Sequence, residues 1–537
     1  MKKAVFFLAL LLSVAQAAMA QGYRNPILNA DVPDICVCHH NGKYYMISTT
    51  MHLMPGGPVM ESADGMRTWK TVSYVFDRID DGPRYDLEDG QTVYGQGQWA
   101  SSIRYHKGKF WVWFTVNGAP GRGFVFCADK AEGPWQLVGR PPHHHDASLL
   151  FDDDGRNYLF YGTGEVEELN ADLTDVKPGG FKKKIFERDA EEKQALLEGS
   201  SIVKRNGKYY LLMISMQWGV KGRVRREVCY RADRIDGPWE KKVILETPFE
   251  SYGGVGQGCI VSDGQDNWLA LIFQDRGGVG RVPCLMPCTW VDGWPMLGDL
   301  SRKVEQDGYT YNMAIPCDYN VPFASMEGIC GSDDFAGNKL GLQWQWNHNP
   351  ITSGWGLTGH SLRLITARTA LNLFLAPNTL TQRMTGPTCT GTVELTISGM
   401  KDGDRAGLAA FQGQSGVLVV KREGGKNTLC CERQNSIFGE RRTVKGVEVE
   451  GLDSVALTDT NTKVWLRTHG DFRPGQDVAT FEYSLDGKKF TPIGRAVKVP
   501  FDYTRMFMGT KFGIFYYATR EVGGVVDVEQ FDYQQEQ

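Results

Sequence analysis

The chain reads as an all-β protein, a five-bladed β-propeller followed by a β-sandwich. Three observations predict this. A turn glycine followed by a basic or polar residue and then by aromatic and apolar residues occurs five times: Asn41-Gly42-Lys43-Tyr44-Tyr45, Lys107-Gly108-Lys109-Phe110-Trp111, Asp154-Gly155-Arg156-Asn157-Tyr158, Asn206-Gly207-Lys208-Tyr209-Tyr210 and the longer Asp263-Gly264-Gln265-Asp266-Asn267-Trp268. These glycines recur at intervals of 66, 47, 52 and 57 residues, the repeat length of a propeller blade. After residue 300 the repeat stops, and a second pattern of alternating apolar and polar residues takes over.

Residues 1–20 precede the fold. Lys2-Lys3 give a charged start, Ala4 to Leu12 an apolar core, and Ala18-Met19-Ala20 a small-residue cleavage site. A secretory signal is expected here, with export to the periplasm or beyond. The apolar core is too short to span a bilayer, so no membrane insertion is expected.

Residues 21–300 hold the five repeats. Each is read as a hairpin, with Asn-Gly or Asp-Gly supplying positive-φ turn residues in four of them. Blade-closing tryptophans follow at Trp69, Trp135 and Trp239, the last two within Gly-Pro-Trp. Arg188 to Leu197 can form one or two helical turns, and Arg223-Val224-Arg225-Arg226 reads as an exposed strand face. Residues 301–331 carry no repeat and read as a surface connector. Residues 332–537 alternate through Gly391-Thr392-Val393-Glu394-Leu395 and Gly416-Val417-Leu418-Val419, as two packed sheets require.

Composition excludes some functions. A net charge of −4 offers nothing to nucleic acid. The 12 cysteines lack the spacing of a zinc site or a disulfide framework, so most are read as buried small apolar residues. His143-His144-His145 beside Asp146 invites a metal reading, but adjacent histidines on a strand face opposite ways.

The repeat also locates chemistry. Nine residues before the turn glycines stand Trp99, Asp146, Glu198 and Val255, and eight before Gly42 stands Asp34. The segments beginning Trp99-Ala100-Ser101-Ser102, Asp146-Ala147-Ser148-Leu149 and Glu198-Gly199-Ser200-Ser201 are alike and read as innermost strands lining the axis. Three carboxylates from three blades would then share one cavity, where like charges push pKa values apart and separate an acid from a base. The alternative is that each carboxylate merely bonds a turn at a strand start.

These residues resemble glycoside hydrolase family 43, in the branch of β-xylosidases and α-L-arabinofuranosidases. The resemblance runs through Asn25-Pro26-Ile27-Leu28, Ser48-Thr49-Thr50-Met51-His52, Gly97-Gln98-Trp99-Ala100, Phe151-Asp152-Asp153-Asp154-Gly155, Glu198-Gly199-Ser200, Gln274-Asp275-Arg276-Gly277-Gly278 and Asp292-Gly293-Trp294-Pro295. Leu342-Gln343-Trp344-Gln345-Trp346 and Asn378-Thr379-Leu380-Thr381-Gln382-Arg383 resemble the concanavalin-like jelly roll attached to these enzymes.

The resemblance implies an exo-acting, inverting hydrolase of xylo- or arabino-oligosaccharides. Asp34 is then the general base, Glu198 the general acid, and Asp146 the carboxylate that raises and orients the acid. Asp31 is the rival for the base, and register favours Asp34. Arg281 resembles the arginine that binds a sugar hydroxyl, the alternative being a surface salt bridge. Trp99 and His52 are expected at the pocket wall, or else in the propeller core. Phe512 is expected to cap the pocket from the sandwich. No cofactor is required and no metal ligand is assigned. An axial calcium is in doubt, because Gly254-Val255-Gly256-Gln257-Gly258 lacks the histidine that supports it in relatives. A retaining fructan-type hydrolase fits less well, since its Asn-Asp-Pro-Asn-Gly and Arg-Asp-Pro motifs are absent. A non-catalytic glycan-binding protein would not need the intact trio.

Overall fold

The structure is a computed structural model that describes residues 25–118, 121–217, 224–301, 303–306, 309–311 and 326–536. The expected leader over residues 1–20 and most of the connector lie outside them. The described residues form the predicted propeller and sandwich.

Each blade is an antiparallel meander that starts from its innermost strand, preceded in the fifth blade by the short strand Pro248–Phe249. The five inner strands are Cys36–His40, Gly97–His106, Ser148–Phe151, Ala195–Arg205 and Tyr252–Ser262. Each touches the inner strands of both neighbouring blades, which closes the ring. The second strands, such as Lys208–Gln217 with sequence KYYLLMISMQ, are buried on both faces between adjacent blades, hence their continuous apolar runs. All five turn glycines adopt positive φ between 74° and 84°. Open space surrounds the position of a Cβ at each, so conformation rather than crowding selects glycine. The expected helical turn is a single 3-10 turn, Glu192–Gln194.

The ring closes without exchanging a strand. The Asn25 side chain pairs with the backbone of Leu285 in the fifth blade, donating to its carbonyl and accepting from its amide, both at 2.8 Å. Ile27 and Val32 continue along the same strand by donating to the carbonyls of Pro283 and Arg281.

The sandwich packs two sheets around a core that includes Trp344, Leu408, Leu466, Phe512 and Phe531. Strand Lys463–Asp471 alternates strictly, burying Val464, Leu466 and Thr468. The two domains share a sheet. Strand Leu53–Met54 leaves the first blade and pairs with Gln345–Asn347 at the edge of an eight-stranded sandwich sheet. At the same junction the buried Asp31 accepts from the amides of Arg281 and Gly509 at 3.0 and 2.9 Å and pairs with Lys511 at 3.1 Å. Burial works to raise the Asp31 carboxyl. Lys511, Arg281 and the two amides outweigh it and hold the group below the usual carboxylate range.

One reading is corrected and another holds. Arg225 and Arg226 do not form an exposed face. Arg225 grips Asp275 with two bonds of 2.8 and 2.6 Å, and Arg226 is buried against Glu192 at 2.8 Å. Arg223 lies outside the described residues. The eleven described cysteines are unpaired, nine of them buried, as small apolar residues would be.

Candidate active site

The inner strands break their regular pairing where they meet the axis. Register shifts fall between Gln98 and Ser101, between Glu198 and Ser201, and between Val255 and Gly258, the same place in three blades. Such bulges re-aim a side chain. In the other two blades the residue two positions before the inner strand does the same work, with Asp34 and Asp146 adopting φ of 53° and 47°. Gly199 has φ of 73°, and a Cβ there would come within 2.7 Å of the Gln257 side chain.

These irregularities gather the carboxylates. Asp34 is buried and accepts from Nη1 of Arg281 at 2.9 Å. Burial raises its carboxyl above the usual range, Arg281 opposes, and Glu198 and Asp31 add to the rise. Asp146 is buried and accepts from the Gly199 amide at 3.2 Å, so it holds the backbone immediately after Glu198. Its carboxyl is pushed up to about 7 by burial, with His145 opposing and Glu198 and Asp34 reinforcing. Glu198 keeps about a quarter of its side chain exposed to the cleft.

His145 joins this group. Its Nε2 lies 3.1 Å from Oε2 of Glu198 and 3.7 Å from Oδ2 of Asp146. Burial lowers the imidazole, but Asp146 and Glu198 overcome it and lift the ring to about 9. The ligand atoms of His145, Asp146 and Glu198 all lie within 4.8 Å of one another. They are bonded among themselves and to the Gly199 amide, which occupies lone pairs a cation would need. The other two histidines face elsewhere, His143 toward Asn117 and His144 toward Glu167.

Beneath the carboxylates a cavity of about 20 Å³, room for roughly one water, is lined by Asp34, Ser101, Ser148, Ser200 and Gln257. Arg104 adjoins it. Its guanidinium donates to Sγ of Cys36, Oγ of Ser148 and the carbonyl of Ile202, linking the first four blades. The fixed positive charge of Arg104 beside this cavity works against a divalent cation at the axial position, although Asp34, hydroxyls and the Gln257 side chain line it. Behind Gln257, the fully buried Glu227 accepts from the Gln257 amide at 2.8 Å, and burial pushes its carboxyl up to about 8.

The remaining expected site residues divide. Trp99 is in the site, its ring 5.7 Å from that of His145. Arg281 is buried at 4 % exposure, not on the surface. Asp31 belongs to the domain junction. His52 is not at the carboxylates. It packs on Tyr94 and on His348 of the sandwich, and burial drives its imidazole down to about 3. Phe512 does not cap the pocket, because it is fully buried in the sandwich core against Phe531 and Tyr533. The capping aromatic is Phe507, from the loop before the strand Lys511–Ala518 that carries Phe512. Its ring lies 5.6 Å from Trp99 and 4.6 Å from the Arg281 guanidinium. The cluster Phe501, Tyr503 and Phe507 within Phe501-Asp502-Tyr503-Thr504-Arg505-Met506-Phe507 was its available signal.

The family model for Glycosyl hydrolases family 43 matches residues 23–295, and that for the beta xylosidase C-terminal concanavalin A-like domain matches residues 332–534. The chain is 29% identical to a beta-xylosidase of Formosa agariphila over 95% of its own length and 90% of the relative's. It is 27% identical to a non-reducing end alpha-L-arabinofuranosidase of Bacteroides ovatus, over 76% of this chain and 78% of that one. Among solved structures, a bifunctional GH43-CE protein of Bacteroides eggerthii superposes with a TM-score of 0.84 at 36% identity. That match covers 96% of this chain and 64% of the longer one.

Proposed function

Because the chain belongs to glycosyl hydrolases family 43, and is thus a glycoside hydrolase, we propose that it removes terminal β-D-xylosyl or α-L-arabinofuranosyl units from hemicellulose oligosaccharides with inversion. The observation that carries this reading is the convergence of Asp34, Asp146 and Glu198 from three blades beneath one aromatic cap. Phe507 and Trp99 close one side of the cleft, which favours a chain end over a chain interior.

In this reading Asp34 is the general base. It draws a proton from a water as that water attacks the anomeric carbon, and Arg281 holds the carboxylate in place. Glu198, partly exposed to the cleft, gives its proton to the glycosidic oxygen. Asp146 fixes the acid through the Gly199 amide and adds negative charge beside it. Initial rates on 4-nitrophenyl β-D-xylopyranoside and 4-nitrophenyl α-L-arabinofuranoside test the substrate. Activity on one of them is expected, with the opposite anomer released first by NMR. Release of the retained anomer would overturn the assignment of Asp34.

The leader over residues 1–20 supports export to the periplasm or the medium, where such oligosaccharides are met. Recovered protein should begin at Gln21, and an intact Met1 start on cytoplasmic protein would contradict this.

A further inference from the structure

The carboxylates account for the bond-breaking step but leave His145 without a role, although it touches two of them. We infer that His145 is a positioning residue for the acid: its Nε2–H holds Oε2 of Glu198, and its positive charge stabilises the carboxylate that Glu198 becomes. The inference rests on the reading of Glu198 as the acid.

Three observations carry it. The contact is direct, at 3.1 Å, and the same nitrogen lies 3.7 Å from Asp146, so the ring bridges the acid and its neighbour. The ring is backed by Trp99 at 5.7 Å and His143 at 6.3 Å, which limits its rotation. The carboxylates that act on it are Asp146 and Asp34, joined by Glu198 once that group has given up its proton, and they favour the imidazolium despite burial. As the bond from the anomeric carbon to the glycosidic oxygen breaks, that oxygen keeps the electron pair and takes the Glu198 proton. The attacking water bonds the carbon and yields its proton to Asp34. Glu198 ends the step as a carboxylate, and a cation already in hydrogen-bond contact needs no reorganisation to stabilise it.

The test is leaving-group dependence. His145→Gln keeps a donor but no charge. On a 2,4-dinitrophenyl glycoside, whose leaving oxygen needs no proton, kcat/KM should fall less than about threefold. On the phenyl glycoside of the same sugar it should fall at least about tenfold. Added imidazole should restore part of the phenyl glycoside rate to His145→Gly, which keeps the test open if the glutamine variant folds poorly. An equal loss on both substrates, or no loss, overturns the inference. Glu198→Ala in the same series separates the two claims. If it lacks leaving-group dependence, the acid assignment itself fails. If it shows dependence while the His145 variants do not, only the role of His145 fails.

Discussion

Nη1 of Arg281 lies 2.9 Å from Oδ1 of Asp34, two buried charges drawn together from positions 247 apart in the chain. Each is the other's counter-ion, so removing one leaves a buried charge unpaired at a cost of roughly 3–5 kcal/mol.

Arg281→Ala should therefore lose both stability and activity. The pH profile gives the specific signature. Arg281 opposes the burial that raises Asp34, so without it the carboxyl titrates at higher pH. A general base works only when ionised, so the acidic limb of kcat/KM should move to higher pH. An unmoved acidic limb in the folded variant would show that another group carries that limb.

Phe507 and Phe512 should separate function from stability. Phe507→Ala removes a ring that packs on Trp99 and Arg281 and caps the cleft. A loss of roughly 1–2 kcal/mol in transition-state binding, or about 5- to 30-fold in kcat/KM, is expected with little change in Tm. Phe512→Ala opens a hole in the sandwich core and should cost roughly 3–5 kcal/mol of folding stability. Kinetics and thermal unfolding of both variants decide this.

Glu227 predicts a pH-dependent stability. Its folded carboxyl titrates near 8 because burial disfavours the charge, whereas an exposed glutamate titrates at about 4.3. Between these values the folded state holds a proton that the unfolded state has lost. Stability should fall as pH rises from about 4 toward 8. Glu227→Gln should flatten that slope, by roughly 2–4 kcal/mol across the window. Urea unfolding of both proteins at pH 5 and pH 8 is the check.

Arg104 should be worth more than its charge. Its fork donates to the first, third and fourth blades from the second. Arg104→Lys keeps the cation and loses the fork, so it should recover less than half of the roughly 2–4 kcal/mol that Arg104→Ala costs. Equal stability of the lysine variant and the parent would mean that charge alone suffices.

Much of this was legible in the chain because turn chemistry is local. Asn41-Gly42 and Asn206-Gly207 each need two left-handed residues, and the pairs adopt them. Regular spacing then aligned Asp146 with Glu198 across blades. What escaped depends on small departures from regularity. Alternation was applied to His143-His144-His145 as if they lay on a strand, but residues 143–147 precede the strand, and the turn at Asp146, with φ of 47°, brings His145 and Asp146 together beside Glu198. Phe507 and Phe512 belong to one segment. Only the pairing of Phe512 with Gln382 and Ala410 shows that it points into the core while the preceding loop reaches the cleft. His52 and Arg226 were misplaced because their partners, His348 and Glu192, come from elements that no local pattern connects to them.

The short strand Leu53–Met54 makes the propeller an edge partner of the sandwich. In this chain the second domain is therefore part of the same folded unit as the first. Cutting it away would bare a strand edge, strip Lys511 and the Gly509 amide from Asp31 and uncap the cleft in a single stroke. The stability of the propeller and the shape of the cleft are thus tied to the sandwich, and a substitution deep in the second domain can be felt at the carboxylates of the first.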